Sequence, residues 1–589
     1  MLGRVSAGGT MASPSILSRG LRLIVGYVRT QRRPFALAVA GTTVYAAAAV
    51  GSTVVLGRAT DEVLVPAFDE GARVNPWWAA AAVVAMAVLR SAGVVARRYY
   101  AGLTAARARA DLQRAVIGRL LAMPLDRIRS RPRGELLAHL DTDAEAATEA
   151  IHPLPFAVGA VTMVGIGITS LALVDVPLML ISSLLLPLIA ITSWLHARVI
   201  HEPAASERHR NGAMAATADE ILDGLLVVKT LGREHAETTR FAEVVDRHRS
   251  ARVRLMVLRS LFERSLQMAP ELGAIAVLAV GVQRVDAGAL TTGELVQAVA
   301  VFGVLAFPLA VIGFFLTDLP ASVVAHERIA RLLDEPDDPL LHPDGRTPLP
   351  PGPLGVTIKG LVVNDRLRVG HLRIHPGETL AIVGPTGGGK STLLEVVCRL
   401  RPVEDGRVEI GGVALAEIDP SDLRRRVALA TQEASLFAGT VLENTAFSRP
   451  VDVREVEACL TTAGADDLLS MLPHGYETVI GERGVTLSGG QRQRVAVARA
   501  LVGEPGLLAL DDATSAVDPG IEEGILGRLA ARPTTVVIVT HRVAAMAAAD
   551  RVVLVDDGRI VAVAPHRDLL TDARYRSLVE AYRSSEVLA

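Results

Sequence analysis

The segment TLAIVGPTGGGKST, residues 379–392, decides the fold of the C-terminal part of this chain. Four apolar residues follow Thr379 in a short strand pattern, and a glycine-rich turn then leads into a helical pattern. This order fits the phosphate-binding pattern G-x-x-x-x-G-K-[ST] in the strand-to-helix context that it needs. The glycines allow backbone N–H groups to surround phosphates at the positive end of the helix. The predicted nucleotide-binding loop consists of Gly384, Pro385, Thr386, Gly387, Gly388, Gly389, Lys390, Ser391 and Thr392.

Within this loop, Lys390 is placed for the β- and γ-phosphates of ATP, and the Ser391 hydroxyl for Mg²⁺. Short β-rich runs alternate with helical patterns on both sides of the loop, which is typical of an α/β domain with a mainly parallel core sheet. The predicted strands are Thr379–Val383, Val427–Ala430, Leu507–Leu510, Thr535–Val539 and Val552–Val555.

The N-terminal part of the chain has the composition of a membrane region. Half of the 589 residues are hydrophobic, and apolar windows of about bilayer length recur through the first 320 residues. The Arg-rich stretches 97–133 and 199–259 share one side with the basic N-terminus, which the positive-inside tendency assigns to the cytoplasm. We therefore expect a multi-pass protein of the cell membrane with both termini cytoplasmic. The six predicted spans are 35–57, 76–96, 155–175, 177–198, 262–284 and 295–318.

Composition also indicates the domain organisation. The 61 basic and 63 acidic residues nearly balance, so we expect no nucleic acid partner. A segment dense in proline and acidic residues reads as an extended linker between the two regions. The predicted parts are an N-terminal cytoplasmic segment 1–33, a membrane domain 34–333 within the lipid bilayer, a linker 334–353 and a nucleotide-binding domain 354–589.

A second motif narrows the class of ATPase. Residues 487–491 read LSGGQ, followed by a basic and then helical stretch, and this run resembles the signature motif of ABC ATPases. The chain as a whole resembles an exporter-type ABC half-transporter, similar to the degenerate-site subunit of bacterial heterodimeric multidrug or lipid exporters. The fold class implied is an all-α six-helix membrane domain with long cytoplasmic helical extensions, plus an α/β P-loop ATPase domain. The signature residues are Leu487, Ser488, Gly489, Gly490 and Gln491.

The resemblance implies further roles for residues of this sequence. Asp511, at the end of a Walker B-like strand, should hold Mg²⁺, and Gln432 should reach Mg²⁺ and the attacking water. His541 resembles the switch histidine at the γ-phosphate, while Ser515 and Asp518 belong to a D-loop-like run. The expected cofactors are ATP and Mg²⁺. In this family Ser488 faces the nucleotide held by another subunit, so a second half-transporter is the expected partner.

Two positions depart from the family pattern. Asp512 stands where hydrolysis-competent members usually carry the catalytic Glu, and a carboxylate misplaced by about 1 Å can cost on the order of a hundredfold in rate. No aromatic residue follows the predicted first strand between Asn364 and Gly377, where the family stacks adenine on one. Together these departures favour a slow site on this chain's Walker side and a heterodimer, with a homodimer left open. Asp512, His541 and Gln432 are the candidate catalytic residues.

The membrane region offers a candidate transport pathway. Glu263, Gln267 and Glu271 recur every four residues in the fifth predicted span and share one helix face. An ionisable group at membrane depth indicates a functional site, and Arg90 in the second span is a candidate partner. The alternative is that Glu271 pairs with a neighbouring helix and has no part in transport.

The sequence therefore predicts ATP-driven export of amphipathic small molecules, drugs or lipids. One alternative is an importer of the same fold, for instance for siderophores. Another is a regulatory subunit that binds ATP but hydrolyses it weakly. A turn is predicted over 123–137, and its end at 134–137, like the stretch 227–234, resembles regions where exporter loops contact the ATPase domains.

Overall fold

The structure is a computed structural model that describes residues 16–69, 75–340, 345–363, 367–481 and 487–588. The chain forms two compact units. The first comprises Met1–Leu121 and Arg131–Glu335, and the second comprises Ala122–Ser130 and Pro336–Ala589. The short segment 122–130 therefore belongs with the second unit, although both of its neighbours along the chain belong to the first. The domain boundaries derived from the sequence stay predictions.

The first unit is helical throughout its described residues. Its long helices exceed the thickness of a bilayer: α11 (Glu234–Asp286), with 53 residues, is roughly 80 Å long, against about 30 Å of hydrocarbon. The helices are α1 (Ile16–Thr30), α2 (Arg32–Ala59), α3 (Val65–Asp69), α4 (Trp77–Ala122), α6 (Arg133–Leu140), α7 (Thr142–Glu149), α8 (Leu154–Val174), α9 (Val176–Asp223), α10 (Leu225–Thr230), α11 (Glu234–Asp286) and α12 (Thr292–Leu333), with a π-helical turn at Thr60–Leu64.

The six predicted spans all fall on long helices, namely α2, α4, α8, α9, α11 and α12. By length and composition, three described stretches suffice to cross a membrane: Arg32–Phe68, Trp77–Ala122 and Arg133–Val174. Several side chains of α9, α11 and α12 lie outside the described set, so the count of six spans stays a prediction. On α4, Val84 and Val88 are about 60% exposed, which suits a helix surrounded by lipid.

Small residues bring the membrane helices close together. A Cβ at Gly41 would meet the backbone N of Arg97 at 2.8 Å, and a Cβ at Gly159 would overlap the Thr42 side chain. Such contacts let α2 pack directly against α4 and α8. At the end of α2, the Asp61 carboxylate accepts hydrogen bonds from the Thr291 hydroxyl at 2.6 Å and the Gly293 N–H at 2.7 Å.

The second unit is a sheet covered by helices. The strands are β1 (Val356–Val363), β2 (Leu367–Ile374), β3 (Thr379–Val383), β4 (Asp405–Ile410), β5 (Val413–Ala414), β6 (Val427–Ala430), β9 (Leu507–Asp511), β10 (Thr535–Val539), β11 (Arg551–Asp556) and β12 (Arg559–Ala564); β7 (Gly439–Thr440) pairs separately with β8 (Val479–Ile480). The ten-stranded sheet has the order β5-β4-β1-β2-β12-β11-β3-β10-β9-β6. The strands from β11 to β6 are parallel to one another, whereas β5, β4, β1 and β2 form an antiparallel part.

The predicted α/β fold with a mainly parallel core is confirmed in this unit. All five predicted strands are present, and three of them have the predicted bounds. Apolar runs buried on both faces give a clear strand signal, and Thr535–Val539 is buried along its whole length. The helices are α5 (Leu125–Arg129), α13 (Lys390–Val397), α14 (Pro420–Arg426), α15 (Val441–Ala446), α16 (Val453–Thr462), α17 (Asp466–Met471), α18 (Gly489–Leu501), α19 (Pro519–Ala530), α20 (Val543–Ala548), α21 (His566–Leu569) and α22 (Ala573–Leu588), with a 3₁₀ turn at Gly475–Glu477.

Candidate nucleotide-binding site

Four adjacent parallel strands bring the predicted site residues to one edge of the sheet. The strands β3, β10, β9 and β6 are neighbours in that order. The phosphate-binding loop follows β3, His541 follows β10, Asp512 follows β9, and Gln432 follows β6. Carboxyl ends of parallel strands meet at one edge, where α/β folds bind ligands. The resulting cavity of about 380 Å³ is lined by Val363, Leu367, Thr386, Gly387, Gly388, Gly389, Lys390, Ser391, Thr392, Arg401, Gln432, Asp511, Asp512, Val539 and His541.

The phosphate-binding loop needs its first glycine for steric reasons. Gly384 has a φ of 150°, and a Cβ there would lie 1.9 Å from the Val555 carbonyl oxygen. The loop holds the Lys390 ammonium, whose Nζ donates to the carbonyl oxygens of Gly384 and Pro385 at 2.8 Å each. Burial lowers the pKa of Lys390, and the charges of Asp511 and Asp512 oppose that shift. Phosphate oxygens can replace the two carbonyls as acceptors for this ammonium.

Ser391 and Asp511 form a pair of oxygen ligands beside the loop. The Ser391 hydroxyl donates to Asp511 Oδ1 at 3.0 Å. Burial raises the pKa of Asp511, and the Ser391 hydrogen bond opposes the increase. Hydroxyl and carboxylate oxygens are the protein ligands that Mg²⁺ takes in nucleotide sites. The residues present therefore fit Mg²⁺ bound together with nucleotide phosphates.

Asp512 is held in an unusual backbone conformation next to this pair. Its φ is +51°, in the left-handed region that a residue other than glycine seldom adopts. Its carboxylate accepts a hydrogen bond from Gln432 Nε2 at 3.0 Å. Burial raises the pKa of Asp512, while the neighbouring His541 and Arg542 lower it. The two predicted catalytic residues Asp512 and Gln432 thus contact each other directly.

The signature residues form a well-capped helix start elsewhere on this unit. Ser488 and Gln491 form a reciprocal capping box at the N-terminus of α18, with hydrogen bonds of 2.8 and 3.3 Å. A Cβ at Gly490 would lie 2.5 Å from the Ala516 carbonyl oxygen, so glycine permits close contact with the D-loop. Residues 487–491 are absent from the described lining of the cavity. Asp518 caps α19 through the Gly520 N–H at 2.9 Å.

Several residues that connect these motifs were not singled out from the sequence. The buried Gln493 donates to the carbonyl of Gln432 at 3.2 Å and to the hydroxyl of Ser515 at 3.0 Å. Arg542 donates to Glu522 at 2.8 Å, and also to the Ser515 carbonyl at 2.8 Å. The sequence could have indicated both residues, because Gln493 lies two positions after Gln491 of the signature and Arg542 directly follows His541.

The segment 122–130 joins the second unit through charged contacts. Arg401, which lines the cavity, donates two hydrogen bonds to Asp126, at 2.8 and 2.9 Å. Arg401 also donates to Glu395 on α13, and Arg129 pairs with the same glutamate. Of the stretch 123–137 singled out in the sequence, only Met123–Ser130 falls in this unit; residues 134–137 lie on α6 in the first.

The adenine region is only partly described. Residues 364–366, at the position of the missing aromatic, lie outside the described residues, as do 482–486 before the signature. On either side of that gap, Val363 and Leu367 present aliphatic side chains to the cavity. Among the residues that the structure describes, the cavity lining contains no Phe, Tyr or Trp.

The structure describes the predicted transport residues only in part. Glu271 is exposed on α11, and the side chains of Glu263 and Gln267 lie outside the described set. The Arg90 guanidinium lies over the Tyr45 ring, 5.5 Å from its centroid. In the part of the chain that the structure describes, no ion pair joins Arg90 to Glu271, and the pathway stays a prediction.

Comparison with known proteins identifies both regions of the chain. Residues 35–309 match the family described as ABC transporter transmembrane region, and residues 367–515 match the family described as ABC transporter. A multidrug efflux ATP-binding/permease protein of Mycobacterium tuberculosis is 33% identical over 94% of this chain and 47% of its own length. This chain thus spans about half the length of that relative. An ATP-dependent lipid A-core flippase of Chromohalobacter salexigens is 30% identical, over 95% of this chain and 97% of its own length, and one of Thiobacillus denitrificans is 28% identical over 94% and 97%.

Proposed function

Because this chain belongs to the ABC transporter family, we propose that it is one half of an ATP-driven exporter. The observation that carries the proposal is the meeting of Lys390, Ser391, Asp511, Gln432 and His541 in one cavity. Lys390 binds the β- and γ-phosphates, and Ser391, Asp511 and Gln432 hold Mg²⁺. His541 contacts the γ-phosphate. Hydrolysis of the bound nucleotide is the reaction that this constellation performs in our proposal.

The working unit in this proposal contains two chains. The signature Ser488 caps a helix whose first N–H groups suit an anion, but it does not line this chain's own cavity. That anion is the γ-phosphate of the nucleotide that the phosphate-binding loop of a second half-transporter holds. The match to about half of the mycobacterial relative also supports a second half.

We further propose that the two halves differ and that this chain's own site hydrolyses slowly. Aspartate is one methylene shorter than glutamate, so the Asp512 carboxylate ends roughly 1–1.5 Å further from the attacking water. The hydrogen bond from Gln432 also engages that carboxylate. In such a heterodimer this chain's Ser488 completes a fast site whose catalytic glutamate comes from the partner.

The cargo class that we propose is inferred from the names of the relatives. Those names mention multidrug efflux and lipid A-core flipping, which supports amphipathic drugs or lipids as cargo here. The protein would lie in the cell membrane with both termini cytoplasmic. Within the membrane, Glu271 and Gln267 on α11 and Arg90 on α4 remain our candidates for the pathway. A Glu271→Gln protein with normal ATP turnover and unchanged transport would remove Glu271 from that list.

Purification of the full-length chain alone in nanodiscs tests the heterodimer. We expect slow ATP hydrolysis by this chain and faster hydrolysis after addition of its partner half. Vigorous ATPase activity of the chain alone, abolished by Asp512→Asn, would contradict the proposal. Asparagine and aspartate have nearly the same shape, so a loss of activity in Asp512→Asn reports on the carboxylate and not on packing.

A regulatory subunit is the second candidate, because Asp512 is engaged by Gln432 and the described lining lacks an aromatic residue. Such a subunit binds ATP and tunes a partner without completing its hydrolysis site. Nucleotide trapping with orthovanadate on the two co-expressed halves distinguishes the candidates. If Ser488→Ala abolishes trapping by the pair, this chain is part of the hydrolysing machinery, and unchanged trapping would favour the regulatory role.

A further inference from the structure

Two tyrosines stand seven residues apart on the C-terminal helix α22 and therefore share one face. Tyr575 is fully buried, and its hydroxyl contacts His566 Nδ1 at 2.6 Å and Met546 Sδ at 3.7 Å, so it touches neither the phosphate-binding loop nor His541. Tyr582 is half-buried and makes different contacts. Its hydroxyl donates to the Gly384 carbonyl at 2.9 Å, in the first turn of the phosphate-binding loop.

The ring of Tyr582 also packs edge-on against the imidazole of His541. The two ring centroids are 5.1 Å apart, with an interplanar angle of 84°. This T-shaped arrangement is a favourable geometry for two aromatic rings. One side chain therefore contacts both the phosphate-binding loop and the histidine assigned to the γ-phosphate. Burial raises the pKa of Tyr582, so its hydroxyl stays protonated and remains a donor near neutral pH.

We infer that Tyr582 is a positioning residue of the ATP site. Its hydroxyl contact with Gly384 supports binding of any nucleotide, and its ring contact with His541 supports recognition of the γ-phosphate. The inference rests on the proposed role of His541. It assigns the C-terminal helix a part in nucleotide discrimination, although Tyr582 itself does not line the cavity.

The hydroxyl contact acts through Gly384. The carbonyl of Gly384 accepts from both Tyr582 and Lys390. When phosphates draw the Lys390 ammonium away, the tyrosine hydroxyl keeps this carbonyl hydrogen-bonded, and a carbonyl left without a donor in the protein is unfavourable. Since Lys390 moves for any nucleotide with a β-phosphate, this contact favours MgATP and MgADP alike.

The ring contact acts through His541. An imidazole that lies against a fixed aromatic edge has fewer orientations to lose when it meets the γ-phosphate. MgADP has no γ-phosphate, so this contact favours MgATP alone. The two contacts of Tyr582 thus predict two separable effects on affinity.

The test measures dissociation constants of MgATP and MgADP by titration calorimetry on the full-length chain in nanodiscs. All proteins carry Asp512→Asn so that ATP is not consumed. We expect Tyr582→Phe to weaken both nucleotides by about 2- to 10-fold, as for one neutral hydrogen bond. We expect Tyr582→Leu to weaken MgATP by about a further 2- to 10-fold, with no further loss for MgADP.

Tyr575→Phe is the matched control, because it removes a tyrosine hydroxyl from the same face of the same helix. It should leave both dissociation constants unchanged. The inference is overturned if Tyr582→Phe binds both nucleotides as the parent does, or if Tyr582→Leu loses MgATP and MgADP equally. Should Tyr582→Leu fail to fold, the comparison of Tyr582→Phe with Tyr575→Phe still decides the hydroxyl contact.

His541→Ala separates this inference from the proposed function. It should reduce the preference for MgATP over MgADP if His541 senses the γ-phosphate. An unchanged preference in His541→Ala would contradict the role proposed for His541. If the preference for MgATP is reduced in His541→Ala but unchanged in Tyr582→Leu, the inference about Tyr582 is contradicted and the proposed function stays intact.

Discussion

The two sides of the nucleotide cavity differ in how well they suit their expected chemistry. On the phosphate side, Lys390 has two carbonyl acceptors, and Ser391 and Asp511 lie in hydrogen-bond contact. On what we call the hydrolysis and base side, the short Asp512 side chain contacts Gln432, and the aliphatic Val363 borders the gap at residues 364–366. In our proposal the site keeps the groups that bind phosphates and Mg²⁺, while the groups for rapid hydrolysis and base stacking are weakened.

Removal of the lysine on the phosphate side should have the largest effect on MgATP binding. Lys390→Ala deletes a cation that is largely shielded from water, and loss of such a charge at a phosphate site costs on the order of 100-fold or more. We expect MgATP binding by the full-length chain to weaken by at least about 100-fold, measured by titration calorimetry.

Lys359→Ala is the matched control, since Lys359 is exposed on β1 and does not line the cavity. Its affinity for MgATP should equal that of the wild type. If Lys390→Ala also binds MgATP normally, the phosphate side does not carry the binding that we assign to it.

A longer side chain at position 512, our candidate catalytic base, should have the next largest effect. Asp512→Glu extends the carboxylate by one methylene and should raise the hydrolysis rate of this chain's own site by about 10- to 100-fold. The measurement is phosphate release by this chain in nanodiscs at saturating MgATP.

Asp512→Asn provides the baseline without a carboxylate in this experiment. A rate in Asp512→Glu no higher than in the wild type would mean that the length of the side chain does not limit hydrolysis. The cause would then lie in the left-handed backbone at this position, where φ is +51°.

Addition of an aromatic residue should have a smaller effect on affinity. Asn364→Tyr introduces a ring in the segment where the family pattern carries its adenine-stacking aromatic, and such a stack is worth about 1–3 kcal/mol. Because the ring must also be ordered, we expect a gain nearer 1 kcal/mol, or about 5-fold tighter MgATP binding.

Asn364→Leu adds apolar area without a π-system and should give little gain. The comparison of MgATP with MgGTP by the same titration sharpens the result, since both bases stack. Equal affinities of the tyrosine and leucine variants would show that the missing aromatic is not what weakens this side.

The sequence predicted the strands that bring the candidate site residues together, for a physical reason. Buried strands such as Thr535–Val539 are short and apolar, and the candidate residue His541 comes two residues after the strand end, so the chain order places it at the sheet edge. The contacts of Tyr582 could not be predicted, because a seven-residue spacing defines a helix face but not the surface on which it packs. The same holds for Asp126, whose short charged helix carries no pattern that specifies Arg401 as its partner.

The contact between Asp126 and Arg401 gives the smallest expected effect on the phosphate side. The Asp126 side chain is 52% exposed, so its ion pair with Arg401 contributes at most about 1 kcal/mol despite two hydrogen bonds. Arg401 also holds Glu395, which lies one helical turn after Ser391. Asp126→Ala and Arg401→Ala should each weaken MgATP binding by about 2- to 5-fold.

The double variant should lose no more than the Arg401→Ala protein, because both substitutions remove the same contact. Arg407→Ala breaks another exposed ion pair of the sheet, with Glu409, and should bind MgATP normally because Arg407 is not among the cavity lining. Additive losses in the double variant would mean that Asp126 and Arg401 act on the cavity independently. The charged contacts of 122–130 would then not support the phosphate side, and the contrast between the two sides would rest on the loop and the strand ends alone.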